Sequence, residues 1–237
     1  MLYFSSELKT YHVEATDGEL GKILDVYFDD KKWAVRYAVL DTRKWLPGRR
    51  VILSPTAFVH LNKEERKLEV VHDKETVRNS PEISEESFIS SDIEHSLSGY
   101  YGWSRYWMGN MLWGEQEQPI LPTLETAATH GLEIETQVTV PQDYGLRSEE
   151  ETLGFKVHAS DGGLGKVADL IFDDEYWKVQ YIIVQDNDVL EGSFYAIRPE
   201  DLQSVAWFEE DMYVKGSLAD FEIQKRYKTK DEIMVSL

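Results

Sequence analysis

The chain contains no cysteine, which excludes disulfides, thiolate metal sites and cysteine nucleophiles. Basic residues are scarce: 25 Lys and Arg stand against 44 Asp and Glu, a net charge of −19. Nucleic acid and anionic lipid both attract basic faces, so neither is an expected partner. No stretch approaches the roughly 18 consecutive apolar residues of a membrane-spanning helix. The longest uncharged apolar stretches are strand-sized, such as Ala38-Val39-Leu40. The opening residues Met1–Lys9 lack a basic start, a long apolar run and a small-residue cleavage site. The expectation is therefore no signal peptide, no transmembrane segment and a cytoplasmic protein.

Catalytic and metal motifs are also missing. The six histidines (His12, His60, His72, His95, His130 and His158) form no HxH, HxxxH or His-Glu-x-x-His pattern, so no zinc site is readable. No serine sits in a G-x-S-x-G elbow, and there is no Walker loop. Asp161-Gly162-Gly163-Leu164-Gly165 superficially suggests a dinucleotide fingerprint, but a period-two strand follows it where a helix is needed. The sequence thus predicts no cofactor, no metal and no catalytic residues.

What is present suits a folded protein. Of 237 residues, 42% are hydrophobic and 12% aromatic, enough for packed interiors in one or two domains. An internal repeat sets the organisation. Residues 13–41 align without a gap onto 157–185 at an offset of 144, and 14 of the 29 pairs are identical. Asp17/Asp161, Gly21/Gly165, Asp25/Asp169, Asp29/Asp173, Asp30/Asp174 and Trp33/Trp177 are among them. The same offset pairs Leu2 with Leu146, Pro55 with Pro199 and Val70 with Val214. The chain reads as a tandem duplication, with domains at 1–84 and 146–237 and a connector at 85–145.

Within each repeat the hydrophobic period is two. Leu24, Val26 and Phe28 give one apolar face, matched by Ala168, Leu170 and Phe172. After Asp29-Asp30-Lys31-Lys32 the alternation resumes at Trp33, Val35, Tyr37 and Val39. Two such runs around an Asp-rich linker predict a β-hairpin. Further strands are predicted at Arg50–Ser54, Phe194–Arg198, Lys67–Val71 and Met212–Lys215. Asp17-Gly18 and Asp161-Gly162 are turn signals; Gly21 and Gly165 mark a bulge or close backbone approach. Many short strands with little helix predict a mainly β protein of two small barrels.

The run Val13–Asp25, followed by Phe28-Asp29-Asp30, Trp33–Gly48 and Val51–Pro55, resembles the PRC-barrel family. That family takes its name from the photosynthetic reaction centre H subunit, and a similar barrel occurs in a bacterial ribosome maturation factor. The chain looks most like soluble bacterial proteins with two PRC-barrel repeats. The second repeat keeps Asp161-Gly162, Gly165-Lys166 and Asp169 but replaces Asp41–Trp45 with Gln185–Val189. The resemblance implies barrels that assist electron traffic in one relative and protein binding in another, and it implies no transferable activity.

Several candidate sites compete with plainer roles. Asp29-Asp30 and Asp173-Asp174 offer oxygen ligands to a hard cation, but aspartates in a hairpin turn are expected to be solvated turn formers. Asp17 and Asp25, repeated at equal spacing as Asp161 and Asp169, suggest an acid/base pair, but Asp17 is expected to initiate a turn and Asp25 to face outward while Leu24 and Val26 face in. The most unusual segment is Gly99–Trp113, where 6 of 15 residues are Tyr or Trp. Tyr100, Tyr101, Trp103, Tyr106, Trp107 and Trp113 are candidate partner or interface residues; packing between the barrels, where they bury each other, is the favoured reading. The alternating run Leu132–Val140 reads as an extended arm that adds a strand to a barrel. The leading expectation is a non-enzymatic protein-binding or scaffolding module that self-associates as a homo-oligomer. The alternative is a small-molecule or metal binder related to the reaction-centre H-subunit role.

Overall fold

The computed structural model describes residues 1–84, 89–120, 145–187, 192–223 and 226–237. The predicted arm at Leu132–Val140 lies outside them. The first repeat contributes β1 (Leu2–Phe4), β2 (His12–Ala15), β3 (Gly18–Asp29), β4 (Val35–Asp41), β5 (Val51–Leu53), β6 (Phe58–Asn62) and β7 (Lys67–Val70). The second contributes β8 (Leu146–Ser148), β9 (Lys156–Ala159), β10 (Gly162–Asp173), β11 (Val179–Asp186), β12 (Phe194–Ile197), β13 (Leu202–Ala206) and β14 (Asp211–Val214). Helices are short, the longest described being Ser91–Tyr101.

The fold is mainly β, with two barrel-like units of matching topology. One sheet runs β5-β4-β3-β2-β7-β6 and the other β12-β11-β10-β9-β14-β13. In each, the hairpin partners are antiparallel, while β2 joins β7 and β9 joins β14 in parallel. The predicted hairpin is β3–β4, repeated as β10–β11. The glycine signal is also explained. A Cβ on Gly21 would lie 1.9 Å from the Asp41 carbonyl oxygen, and one on Gly165 would lie 2.0 Å from that of Gln185. Only glycine allows the strands to approach this closely.

Two expectations about strand phase need correction. The β3–β4 register shifts between Ile23 and Asp25, and the β10–β11 register shifts between Val167 and Asp169. This bulge reverses the side-chain alternation. Leu24 is therefore exposed, while Asp25 and Asp169 are buried. Each buried carboxylate accepts the N–H of the next residue, Val26 at 2.8 Å and Leu170 at 2.9 Å. Trp33, expected to open β4, is instead a turn residue with φ +56°, and Trp177 repeats it at +53°. This left-handed conformation is rare for a bulky side chain. Stacking of the Trp33 ring on Phe28, 5.1 Å between centroids, holds it in place.

Chain order and unit membership differ. One compact unit comprises Lys9–Leu146 with Glu175–Trp177; the other comprises Met1–Leu8, Arg147–Asp174 and Lys178–Leu237. We call these the first and second units. The described part of the connector thus belongs to the first unit, and the opening eight residues, placed by the sequence reading in a domain 1–84, belong to the second.

In the second unit β1 lies antiparallel to β10, pairing Leu2 with Asp173 and Phe4 with Ile171. Phe4 enters a core with Ile171, Ile183, Tyr227 and Ile233. In the first unit β8 begins beside β3. The Asp30 N–H donates to the Gly145 carbonyl at 2.9 Å, and the Gly145 N–H donates to Asp30 Oδ1 at 2.7 Å. The second unit therefore takes β1 from the first repeat, and the first unit receives Gly145 and Leu146 from the start of the second.

Candidate functional site: aspartate hairpins and the aromatic connector

The Asp-Asp pairs sit where β3 and β10 run into their hairpin turns, and the two aspartates of each pair do different work. Asp29 is buried. Its Oδ1 accepts the N–H of Lys31 at 3.2 Å and of Lys32 at 2.6 Å, closing the turn. Its Oδ2 meets the Arg36 guanidinium at 2.8 Å, with both side chains essentially inaccessible. The equivalent Asp173 accepts Gln180 Nε2 at 2.7 Å, a neutral donor at the repeat position of Arg36. Solvation of these first aspartates, expected from the sequence, is not observed.

The second aspartate of each pair holds the strand from the other repeat. Asp30 binds Gly145 in both directions, as above. Asp174 does the same with the repeat-equivalent Met1: its N–H donates to the Met1 carbonyl at 3.1 Å, and its Oδ1 meets the Met1 ammonium at 2.5 Å. With these carboxylates committed to turns, cations and strand ends, few oxygens are left for a hard cation. Among the described residues no cluster of three or more His, Asp or Glu is arranged to hold a metal.

The bulge aspartate Asp169 anchors a second polar group. Ser5 Oγ lies 2.7 Å from its Oδ1 and donates, while Ser6 Oγ and Lys230 Nζ each lie 2.5 Å from Oδ2. Ser5 also lies 2.9 Å from Glu149 Oε1. These bonds fasten Met1–Leu8 to β10 and to the C-terminal helix Lys230–Ser236. They satisfy a fully buried carboxylate that would otherwise be costly.

The aromatic connector is built around Arg36. The guanidinium carbon lies 4.0 Å from the Tyr106 ring centre and 4.6 Å from that of Trp113. The ion pair offsets the cost of burying this cation, and the two ring faces add to it. Glu94, buried on the helix Ser91–Tyr101, accepts the hydroxyls of Tyr37 at 3.0 Å and of Tyr106. Tyr106 therefore links the buried cation to a buried carboxyl. A neighbouring stack joins Tyr101 to Trp103, 4.3 Å apart and 11° from parallel, with His72 4.6 Å from Tyr101. Burial pushes the Tyr101 hydroxyl up to about 12 and lowers the His72 imidazole. His72 Nε2 is buried without a hydrogen-bond partner among the described residues.

The six residues singled out in the sequence thus divide. Tyr101, Trp103, Tyr106 and Trp113 are buried inside the first unit, Trp107 is half-buried, and Tyr100 is 41% exposed. Around Trp107 the surface keeps His95, 5.0 Å away ring to ring, and the exposed side chain of Met108; Met111 follows on the same segment. Arg36, Glu94, Ser5 and Lys230 escaped the sequence reading. Arg36 alternates in phase with nothing polar, and its pairing with Asp29 seven residues earlier is visible only once the hairpin is drawn.

Comparison with known families agrees with this architecture. Residues 1–77 match the family model of the PRC-barrel domain. This stretch is a PRC-barrel domain. The match includes β1, which the structure places in the second unit, so it is contiguous in sequence but divided in the fold. The second repeat carries the same strand order. A search of curated proteins finds no match to the chain.

Proposed function

We propose that this PRC-barrel chain is a non-enzymatic, cytoplasmic protein-binding or scaffolding module that associates with itself. The observation that supports it is the division of the connector. Four aromatics are spent on the interior, Tyr106 and Trp113 against Arg36 and Tyr101 and Trp103 in the neighbouring stack, and what remains outside is Tyr100, part of Trp107, Met108 and Met111. Aromatic and methionine side chains are the types enriched at protein contact surfaces. Net charge of −19 disfavours nucleic acid as the partner. No helix among the described residues is long and apolar enough to cross a membrane.

The test is light scattering of the purified chain beside a Trp107→Ala, Met108→Ser double variant. The reading requires a defined oligomer that weakens in the variant while its melting temperature stays within a few degrees. An unaltered mass, or a monomer in both, overturns it. The small-molecule or metal alternative has no comparable support, because the aspartates that motivated it are engaged within the fold.

A further inference from the structure

We propose that Met1–Leu8 is an exchangeable segment whose partner is a second copy of this chain: two chains trade it, so that β1 of each completes the β10 edge of the other. This goes beyond the connector surface just described, whose residues take no part in it.

The starting point is that exchange already occurs between the repeats of one chain. Met1–Leu8 docks in the second unit, and the chain crosses to the first unit at Lys9. The receiving sites are alike in detail. Asp174 binds Met1 through its N–H and its carboxylate, and Asp30 binds Gly145 through the same two groups. Both hairpins therefore receive a strand start through the same two groups of the accepting aspartate, whose carboxylate meets an ammonium at Asp174 and a backbone N–H at Asp30.

The docking is also self-sufficient. Phe4 is enclosed by Ile171, Ile183, Tyr227 and Ile233, while Ser5 and Ser6 share Asp169 with Lys230. Every one of these receiving groups lies in Arg147–Leu237, so none is altered if the segment arrives from another copy. The link to the rest of the first repeat is the short turn Lys9-Thr10 before β2. Reciprocal exchange makes a closed pair with the same contacts as the monomer, which is why such swapping is a low-cost route to dimers. The balance is then set by the link and by protein concentration during folding.

Because the chain has no cysteine, a directional cross-link is available. Leu2 and Asp173 are directly opposed across β1 and β10, and opposed strand residues lie within disulfide range. Full-length Leu2→Cys and full-length Asp173→Cys, carrying tags of different size, are unfolded together, refolded over a hundredfold range of concentration and oxidised. The expected result is a mixed disulfide between the two variants that grows with refolding concentration and exceeds the like-with-like products. Like-with-like products alone overturn the proposal. The unaltered chain, refolded over the same range and sized by light scattering, covers the case in which a variant folds poorly. A dimer that forms at high concentration and survives dilution is expected; a monomer throughout overturns the exchange.

Discussion

The two repeats share a hairpin and solve its burial differently. In the first, Asp29 pairs with Arg36, and the cation is closed in by Tyr106 and Trp113 from the connector. In the second, Asp173 meets the neutral Gln180, and the adjoining core is closed by Phe4 from β1 and Ile233 from the C-terminal helix. Duplication preserved the backbone, the glycine approach and the bulge. The covering layer diverged. A buried ion pair ties the first unit to a specific cover, because a cation removed from water needs its partner and its ring faces together. In the second unit the donor is a neutral amide, and the adjoining core takes its cover from the opposite end of the chain.

The largest effect that can break this comparison is Arg36→Ala. It leaves Asp29 buried and uncompensated, and should cost about 3–5 kcal/mol in denaturant unfolding. Gln180→Ala, the matching change in the second repeat, removes a donor from a buried carboxylate and should cost about 1.5–3 kcal/mol. Equal losses would show that the charge on Arg36 is unimportant. Arg36→Gln sharpens the point by installing the second repeat's pair in the first, and its loss should fall below that of Arg36→Ala.

Next in size is the connector. Trp113→Ala removes a buried ring against the cation and should cost about 3–5 kcal/mol, whereas Tyr100→Ala, which loses an exposed hydrogen bond to the Thr76 carbonyl and an edge contact with Tyr101, should cost about 0.5–1.5 kcal/mol. Comparable melting points for the two would mean that the segment does not pack as described. Tyr106→Phe keeps the ring over Arg36 and removes only the hydroxyl that Glu94 accepts, for about 1–3 kcal/mol.

The smallest effect concerns pH. Burial lowers the His72 imidazole in the folded state, so between its folded value and the usual value near 6.5 the unfolded chain binds more protons. Stability contributed by neutral His72 is present above about 6.5 and is lost as the pH falls. A chemical-denaturation series from pH 8 to 5 should show this slope, reduced in His72→Gln. An unchanged slope would remove His72 as its source.

Much of this was legible in the residues. The 144-residue offset shows the duplication, the Asp-rich linker shows the hairpin, and Gly21 shows the close approach to Asp41. Periodicity alone misplaced Leu24 and Asp25, because one bulged residue reverses the faces without disturbing the composition. It also placed Trp33 in a strand, since an aromatic in a left-handed turn leaves no local signal.

The exchange of strands was hidden for a different reason. Leu2 and Leu146 occupy equivalent places in the repeat, and Asp30 and Asp174 offer equivalent groups. Local sequence specifies that such a strand meets such a hairpin, but not which copy it meets. The aromatic connector was conspicuous for its composition, yet its purpose depended on Arg36, a single residue in an otherwise apolar strand.

The central claim is that the second unit is completed by the opening strand of the first repeat, and Phe4→Ala tests it most directly. Amide hydrogen exchange resolved by residue reports where protection is lost. The account predicts loss at Ile171, Ile183 and Ile233 in the second unit, with Val26, Phe28 and Val39 in the first unit unchanged. Loss confined to Val26, Phe28 and Val39 would contradict it, by returning the opening strand to the repeat that follows it in sequence.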